Sequence, residues 1–273
     1  MKREMDWRRT LILCVTFALL LTFGALCLTE LLMPETGKKT KKDGSFVIDY
    51  SHMDQGYVMV KKSKKGKKKL KVRVTMGKES INYDLNSDGQ YEVFPLQYGN
   101  GTYTFRLFEN ISGKKYSEEG KISLKVKMAD ELTAFLYPNQ YVNYNEKTKA
   151  VLAAQELCKD MEKQTEIYKA VCTYMKKHFA YDYIKSVSVK AGLLPQIDEC
   201  WDKHMGICQD LSAIMVTMLR SQGIPARLMI GTLNANTYHA WVTAVVNGKE
   251  QFFDPTAELY AVSNGTYTVE RWY

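Results

Sequence analysis

Between Ala129 and Tyr144 the hydrophobic rhythm of this chain changes, and that change limits its folds more than any other feature. Before it, from Ser45 to about Met128, apolar residues recur every second position. Leu70–Met76 reads LKVRVTM, and Thr102–Phe108 places Tyr103, Phe105 and Leu107 on one face. After it, from Lys147, the spacing is helical. Val151, Ala154, Cys158 and Met161 form one stripe, and Ile167, Val171, Tyr174, Met175 and Phe179 form a second. Turn signals at Asp88-Gly89, Gly99-Asn100-Gly101, Ser112-Gly113 and Glu119-Gly120 cut the first region into short strands. Asn145 and Thr165 are the expected N-caps of the first two helices. The pattern predicts an α+β protein: a small antiparallel β-sandwich over 45–128, then a mixed domain over 129–273. With 273 residues the chain can hold both.

A second constraint lies at the N-terminus. Thr10 to Thr29 carries no charge, is bounded by Arg8 and Arg9 on one side and Glu30 on the other, and is extended by Leu31–Met33. As a helix such a run rises roughly 30 Å, the thickness of a hydrocarbon core. The reading is a single transmembrane helix at 10–33, with 1–9 in the cytoplasm, 34–44 as linker and the body extracytoplasmic. A cleaved signal is the alternative, but Phe23-Gly24-Ala25 sets a bulky residue where cleavage wants a small one. Met33–Gly37 resembles a sortase sorting signal, but such signals precede an apolar span and this one follows it, so it is read as linker.

The net charge of +8 is unevenly placed. Thr36–Lys71 holds twelve Lys against three Asp, whereas Val72–Tyr273 holds 22 basic against 23 acidic residues. A nucleic-acid enzyme spreads its positive field over its working surface, so nucleic acid is excluded as a partner. The lysine run Lys61–Lys71 reads either as a solvated hairpin tip or as a site for anionic lipid or wall polymer. Asp84, Asn86, Asp88 and Gly89 imitate a calcium loop, but its twelfth position is Pro95 in place of a bidentate Glu, so the segment is read as a turn. Of six cysteines, Cys14 and Cys27 lie in the apolar run, and the four in the body make no disulfide framework.

The chemistry concentrates in the last third. Leu211, Ile214, Met215, Met218 and Leu219 mark a buried helix beginning near Cys208, just past Gly206, and stopped by Gly223-Ile224-Pro225. A thiol at a helix N-terminus meets unpaired N–H groups and the positive dipole end, which favour its nucleophilic form. Tyr238–Val246 reads as a strand that turns at Asn247-Gly248 and returns through Asp254. If Val246 pairs with Lys249, His239 and Asp254 become diagonal neighbours on one face, where a carboxylate can hold one imidazole nitrogen while the other meets Cys208. Cys200, His204 and Cys208 also invite a zinc reading, but the helix boundary breaks their common face.

Together GICQDLSAIMVTMLRSQGIPARLMIG, YHAWVTAVVNG and FFDPT resemble the transglutaminase-like core of the papain-like cysteine enzymes, over about Ala129–Tyr273. The resemblance implies Cys208 as nucleophile, His239 as general base and acid, and Asp254 as its orienting partner. It implies a thioester intermediate resolved by an amine or water, acting on protein or peptide amides at the cell surface, with no cofactor and no metal. The resemblance matches no second oxyanion donor beside the Cys208 N–H; Trp201 and His204 are the nearby candidates, and Tyr181-Asp182-Tyr183 is read as helix-terminus packing or groove lining. A cysteine protease, and a non-catalytic surface scaffold or adhesin, are the alternatives. The whole reads as a membrane-anchored protein with an Ig-like sandwich at 45–128 and a transglutaminase-like domain at 129–273.

Overall fold

The computed structural model describes residues 39–190, 192–260 and 265–273. The expected anchor at 10–33 and tail at 1–9 fall outside these residues; among those described, no helix is long and apolar enough to cross a membrane.

The alternating region forms two antiparallel sheets. The first runs in the order β1 (Thr40–Asp43), β2 (Phe46–Asp49), β3 (Tyr57–Lys62), β6 (Glu92–Pro95). The second runs β5 (Glu79–Leu85), β4 (Leu70–Met76), β7 (Gly101–Ser112), β8 (Lys115–Val126). Period two explains the burial: Leu70, Val72 and Val74 of β4 point inward with Tyr103, Phe105 and Leu107 of β7, in the register Val72↔Leu107 and Val74↔Phe105. Phe46, Ile48, Val58 and Val60 of the first sheet join the same core. The stretch read as linker thus contributes β1, because Thr40–Asp43 pairs with Phe46–Asp49 across a tight turn. The lysine run connects β3 to β4, which lie in different sheets, so it crosses between sheets and is not a hairpin tip. The acidic segment after β5 is a turn: Asn86 and Asp88 accept backbone N–H groups two residues on, and Asp84 pairs with Lys71 at 2.7 Å.

A 3-10 helix, Glu131–Leu136, leads into α1 (Lys149–Cys158) and α2 (Gln164–His178). The expected caps are displaced. Asn145 closes its own turn onto the Lys147 N–H, and the Thr148 hydroxyl accepts from the Asn145 N–H, so α1 starts a turn later. Thr165 lies inside the first turn of α2, whose flanking residue is Lys163. The chain continues through β9 (Ala180–Tyr181), α3 (Tyr183–Ser188), α4 (Ile197–Lys203), β10 (Met205–Gly206) and α5 (Cys208–Ser221). The last sheet has the order β13 (Lys249–Phe253), β12 (Thr237–Val246), β11 (Ala226–Leu233), β14 (Tyr267–Trp272), with α6 (Pro255–Tyr260) between β13 and β14.

Helix α5 is the axis of this mixed α+β domain, buried from Asp210 to Ser221. It packs with Ala150, Val151 and Ala154 of α1, Ile167, Val171 and Met175 of α2, and Leu228, Ile230 and Val242 of the sheet. Its end is set as expected: Gly223 has φ 72°, and the N–H groups of Gly223 and Ile224 return to Arg220 and Leu219. Arg220, fully buried, donates to the carbonyls of Ala226 (2.9 Å), Tyr137 (2.6 Å) and Tyr273 (2.9 Å). Burial lowers its pKa to about 10. The three bonds tie the helix end to β11, to the segment arriving from the sheets, and to the residue after β14. Tyr273 in turn stacks on Tyr141 at 3.6 Å, and Gln97 beyond β6 donates to the Trp272 carbonyl.

Replacing Arg220 by Met takes the donor from the Ala226 and Tyr137 carbonyls, each costing about 1 kcal/mol or more, while the Tyr273 carbonyl keeps the Leu228 N–H. Urea denaturation of Arg220→Met is expected to show a stability loss of about 2 kcal/mol or more. A midpoint unchanged from wild type would dismiss Arg220 as the tie between the two halves.

Candidate active site

Cys208 is the first residue of α5 and half-buried. The backbone before it is clamped. β10 pairs in parallel with β9 (Gly206↔Tyr181), and the Asp182 N–H donates to the Gly206 carbonyl at 3.0 Å. Gly206 is required for space and not for a left-handed turn: a Cβ there would lie 2.8 Å from that of Asp210. Asp210, fully buried, does more than complement the helix dipole. Its carboxylate accepts from the N–H groups of Ile207 (3.0 Å) and Gln196 (3.3 Å) and from Lys185 Nζ (2.8 Å). One side chain thereby fixes the start of α5 against both α3 and α4.

The hairpin register is the expected one, Val246↔Lys249 through Val242↔Phe253, turning on Asn247 and Gly248 with φ of 50° and 74°. Beyond Phe253 the chain leaves the ladder and enters α6, with Asp254 immediately before its Pro255. Asp-Pro-Thr is a helix-start signal, the acid as cap and Pro at the first helical position. Asp254 Oδ1 accepts from the Thr256 N–H (2.9 Å), the Thr256 hydroxyl (2.7 Å) and the Ala257 N–H (3.1 Å). Its Oδ2 lies 2.7 Å from His239 Nε2 and accepts from the Tyr267 hydroxyl at 2.8 Å.

Nε2 of His239 is thus held by Asp254, and Cys208 lies close enough to the imidazole to act on its protonation. Burial alone would lower the His239 pKa, but Asp254 and Cys208 override it and raise the value to about 9. Burial would raise that of Asp254, but His239, Thr256 and Tyr267 bring it down to about 2. Opposite Gly231 in the ladder, His239 sits where β14 comes very close. A Cβ on Gly231 would fall 1.9 Å from the Thr268 carbonyl oxygen, so only glycine lets β14 bring Tyr267 to the carboxylate.

Cys208 and His239 open into a groove of about 640 Å3, walled by Tyr141, Tyr181, Leu193 and Tyr238, with Lys190, Glu270 and Arg271 on its rim. Of the residues singled out from sequence near the nucleophile, Trp201 packs against Tyr174 and Phe179, and His204 ends α4 in a left-handed conformation (φ 51°); neither lines the groove. Asp182 caps α3 through the Lys185 N–H. Tyr181 does line the groove. Its phenol pKa is raised by burial, with Cys208 close enough to add to the effect. Tyr267 and Thr256 also escaped sequence reading, although the Asp-Pro-Thr cap signal pointed to the latter. Cys158, Cys172, Cys200 and Cys208 form no disulfide among the described residues. Burial holds the Cys200 thiol up at about 11, with Lys185 Nζ 3.5 Å from its sulfur.

Residues 153–255 match the transglutaminase-like superfamily, a segment that contains Cys208, His239 and Asp254. No curated protein sequence matches the chain. Similar solved structures include a TGase (19% identity over 42% of this chain and 31% of that one, TM-score 0.34). Another is a candidate cysteine protease from Cytophaga hutchinsonii (13% identity, 80% and 78% covered, TM-score 0.39). A third is the periplasmic domain of TgpA from Pseudomonas aeruginosa (16% identity, 73% and 93% covered, TM-score 0.39). The chain spans about a third of the length of the first of these. The match places a transglutaminase-like domain in the C-terminal half of the chain.

The His239–Asp254 pair fixes a pH window. The raised imidazole contributes stability in full below its ordinary value of 6.5 and loses it as pH climbs through about 9. The lowered carboxylate contributes in full above its ordinary 3.8 and loses it as pH falls through about 2. In Asp254→Asn the unfolding free energy is expected to flatten between pH 6.5 and 9, and the His239 ring resonances to titrate well below 9. A wild-type ring titrating near 6.5 contradicts the pairing.

Proposed function

We propose that the transglutaminase-like domain is a thiol acyltransferase or amidohydrolase acting on protein or peptide amides. One observation carries the proposal: His239, held through Nε2 by Asp254 at 2.7 Å, lines the same groove as Cys208, the first residue of a buried helix. A histidine raised to about 9 carries its proton at neutral pH.

In this reading the Cys208 sulfur attacks the carbonyl carbon of a substrate amide, its proton residing on His239. The tetrahedral oxyanion is held by the Cys208 backbone N–H, which has no helical partner at the first turn, and by the Tyr181 hydroxyl. Collapse breaks the C–N bond, and ammonia or an amine leaves with the His239 proton. An incoming amine or water then gives its proton to His239, attacks the thioester and restores the thiol. Asp254 stays ionised and keeps the ring in line. The proposal extends to location: the apolar run at 10–33 anchors the chain, and the two sheets form an Ig-like sandwich that carries the enzyme outside the membrane.

Offering a glutamine peptide with and without a primary amine separates the outcomes. Amine incorporation marks a transferase, ammonia release alone an amidase, and backbone cleavage a protease. Cys208→Ala is expected to abolish turnover and the thioester adduct seen by mass spectrometry. Tyr181→Phe is expected to lower kcat about 10²-fold with little change in KM. The alkaline limb of kcat/KM is expected near pH 9, from His239. Iodoacetamide labelling Cys208 no faster than Cys158, Cys172 and Cys200 would instead favour the scaffold.

A further inference from the structure

We propose that the outer face of the β5-β4-β7-β8 sheet is a binding trough for a linear anionic polymer whose charges are phosphodiesters. The lysine run divides on folding. Lys62 and Lys68 both pair with Glu109, whose carboxyl they hold below its ordinary value. The next cations lie on the sheet itself. Leu70, Val72 and Val74 face the core, so Lys69, Lys71 and Arg73 project to the outer face, spaced roughly 7 Å apart along the strand. Lys114, from the β7–β8 turn, reaches the same depression, which encloses about 630 Å3 over Phe108 and Tyr116. A second depression of about 480 Å3 adjoins it, sharing Lys69, Lys71 and Tyr116 and adding Lys67 and Lys68. Of the residues lining the two, Asp84 is the one carboxylate, and it is taken by Lys71 at 2.7 Å.

The shape and chemistry select the ligand. Two joined depressions make a track for a chain, with cations repeating along it; a single phosphate would need only one of them. Lys64 and Lys65, in the crossing loop, line neither depression. A nucleobase needs an open aromatic platform, but Phe108 is occupied, with the Arg73 and Arg106 guanidinium groups 5.4 and 5.6 Å from its centroid. Arg73 is further set by its Nε donating to Asn82. Preset cations repeating along a track read backbone charge. The trough shares no residue with the Cys208 groove, so this inference stands apart from the thiol chemistry.

The test is binding of poly(glycerol phosphate) to the full chain over a range of salt concentrations. Log affinity is expected to fall linearly with log salt. The triple variant Lys69→Gln, Arg73→Gln, Lys114→Gln is expected to bind at least about tenfold more weakly, with a salt slope shallower by roughly two to three. Lys64→Gln with Lys65→Gln is expected to change affinity less than about twofold, since each exposed charge away from the track contributes only through the screened field. Lys69→Arg with Lys114→Arg keeps the charge and is expected to retain binding, which separates lost contact from lost fold. Equal losses from the loop pair and the track triple overturn the proposal. So do absence of polymer binding, tighter binding of phosphatidylglycerol vesicles, and tighter binding of single-stranded DNA of matched phosphate number.

Discussion

A helix buried along nearly its whole length can offer chemistry only at its ends, and α5 is such a helix. Its C-terminal end is closed by Arg220, which spends its guanidinium on three carbonyls from three parts of the chain. Its N-terminal end is organised by Asp210, which gathers Ile207, Gln196 and Lys185 around the first turn. Between these ends no side chain from Asp210 to Ser221 reaches solvent. The exposed remainder is Cys208 and Gln209, both of which line the groove. Elements packed around this axis therefore have one place where they can meet a ligand together with the helix.

The sheet reaches that place through register. A two-residue turn at Asn247-Gly248 sets every later pairing in the hairpin, and the return strand ends at the residue that must leave the ladder. Asp254 leaves it as the cap of α6. The same carboxylate then meets backbone N–H groups on one oxygen and the imidazole on the other. Burial raises the cost of each charge alone, and the pair removes that cost by opposing shifts, the acid down and the base up.

What was legible in the sequence was what short-range pattern controls. The helix from Cys208 to its stop at Gly223, the hairpin register, and the inward faces of β4 and β7 all follow from spacing within a dozen residues. What escaped depended on contacts between distant segments. Tyr181, for which packing and groove lining both stood open, enters the groove because a two-residue strand pairs with Met205-Gly206, too short to leave a period. Tyr267 reaches Asp254 only because β14 crosses at Gly231. The lysine run looked like a hairpin because nothing local reveals that its two strands belong to separate sheets. Thr40–Asp43 looked like linker because an edge strand with both faces exposed needs no apolar residues. Asn145 was misplaced as a cap because its side chain serves the turn before the helix.

Asp254 carries one more implication. It is at once the clasp of a helix, the mooring of an edge strand through a phenol, and the partner of an imidazole, so three pieces of architecture hang on a single carboxylate. Glutamate would keep the charge but, one methylene longer, could not satisfy all three geometries together. One substitution there therefore disturbs the helix cap, the phenol contact and the imidazole together.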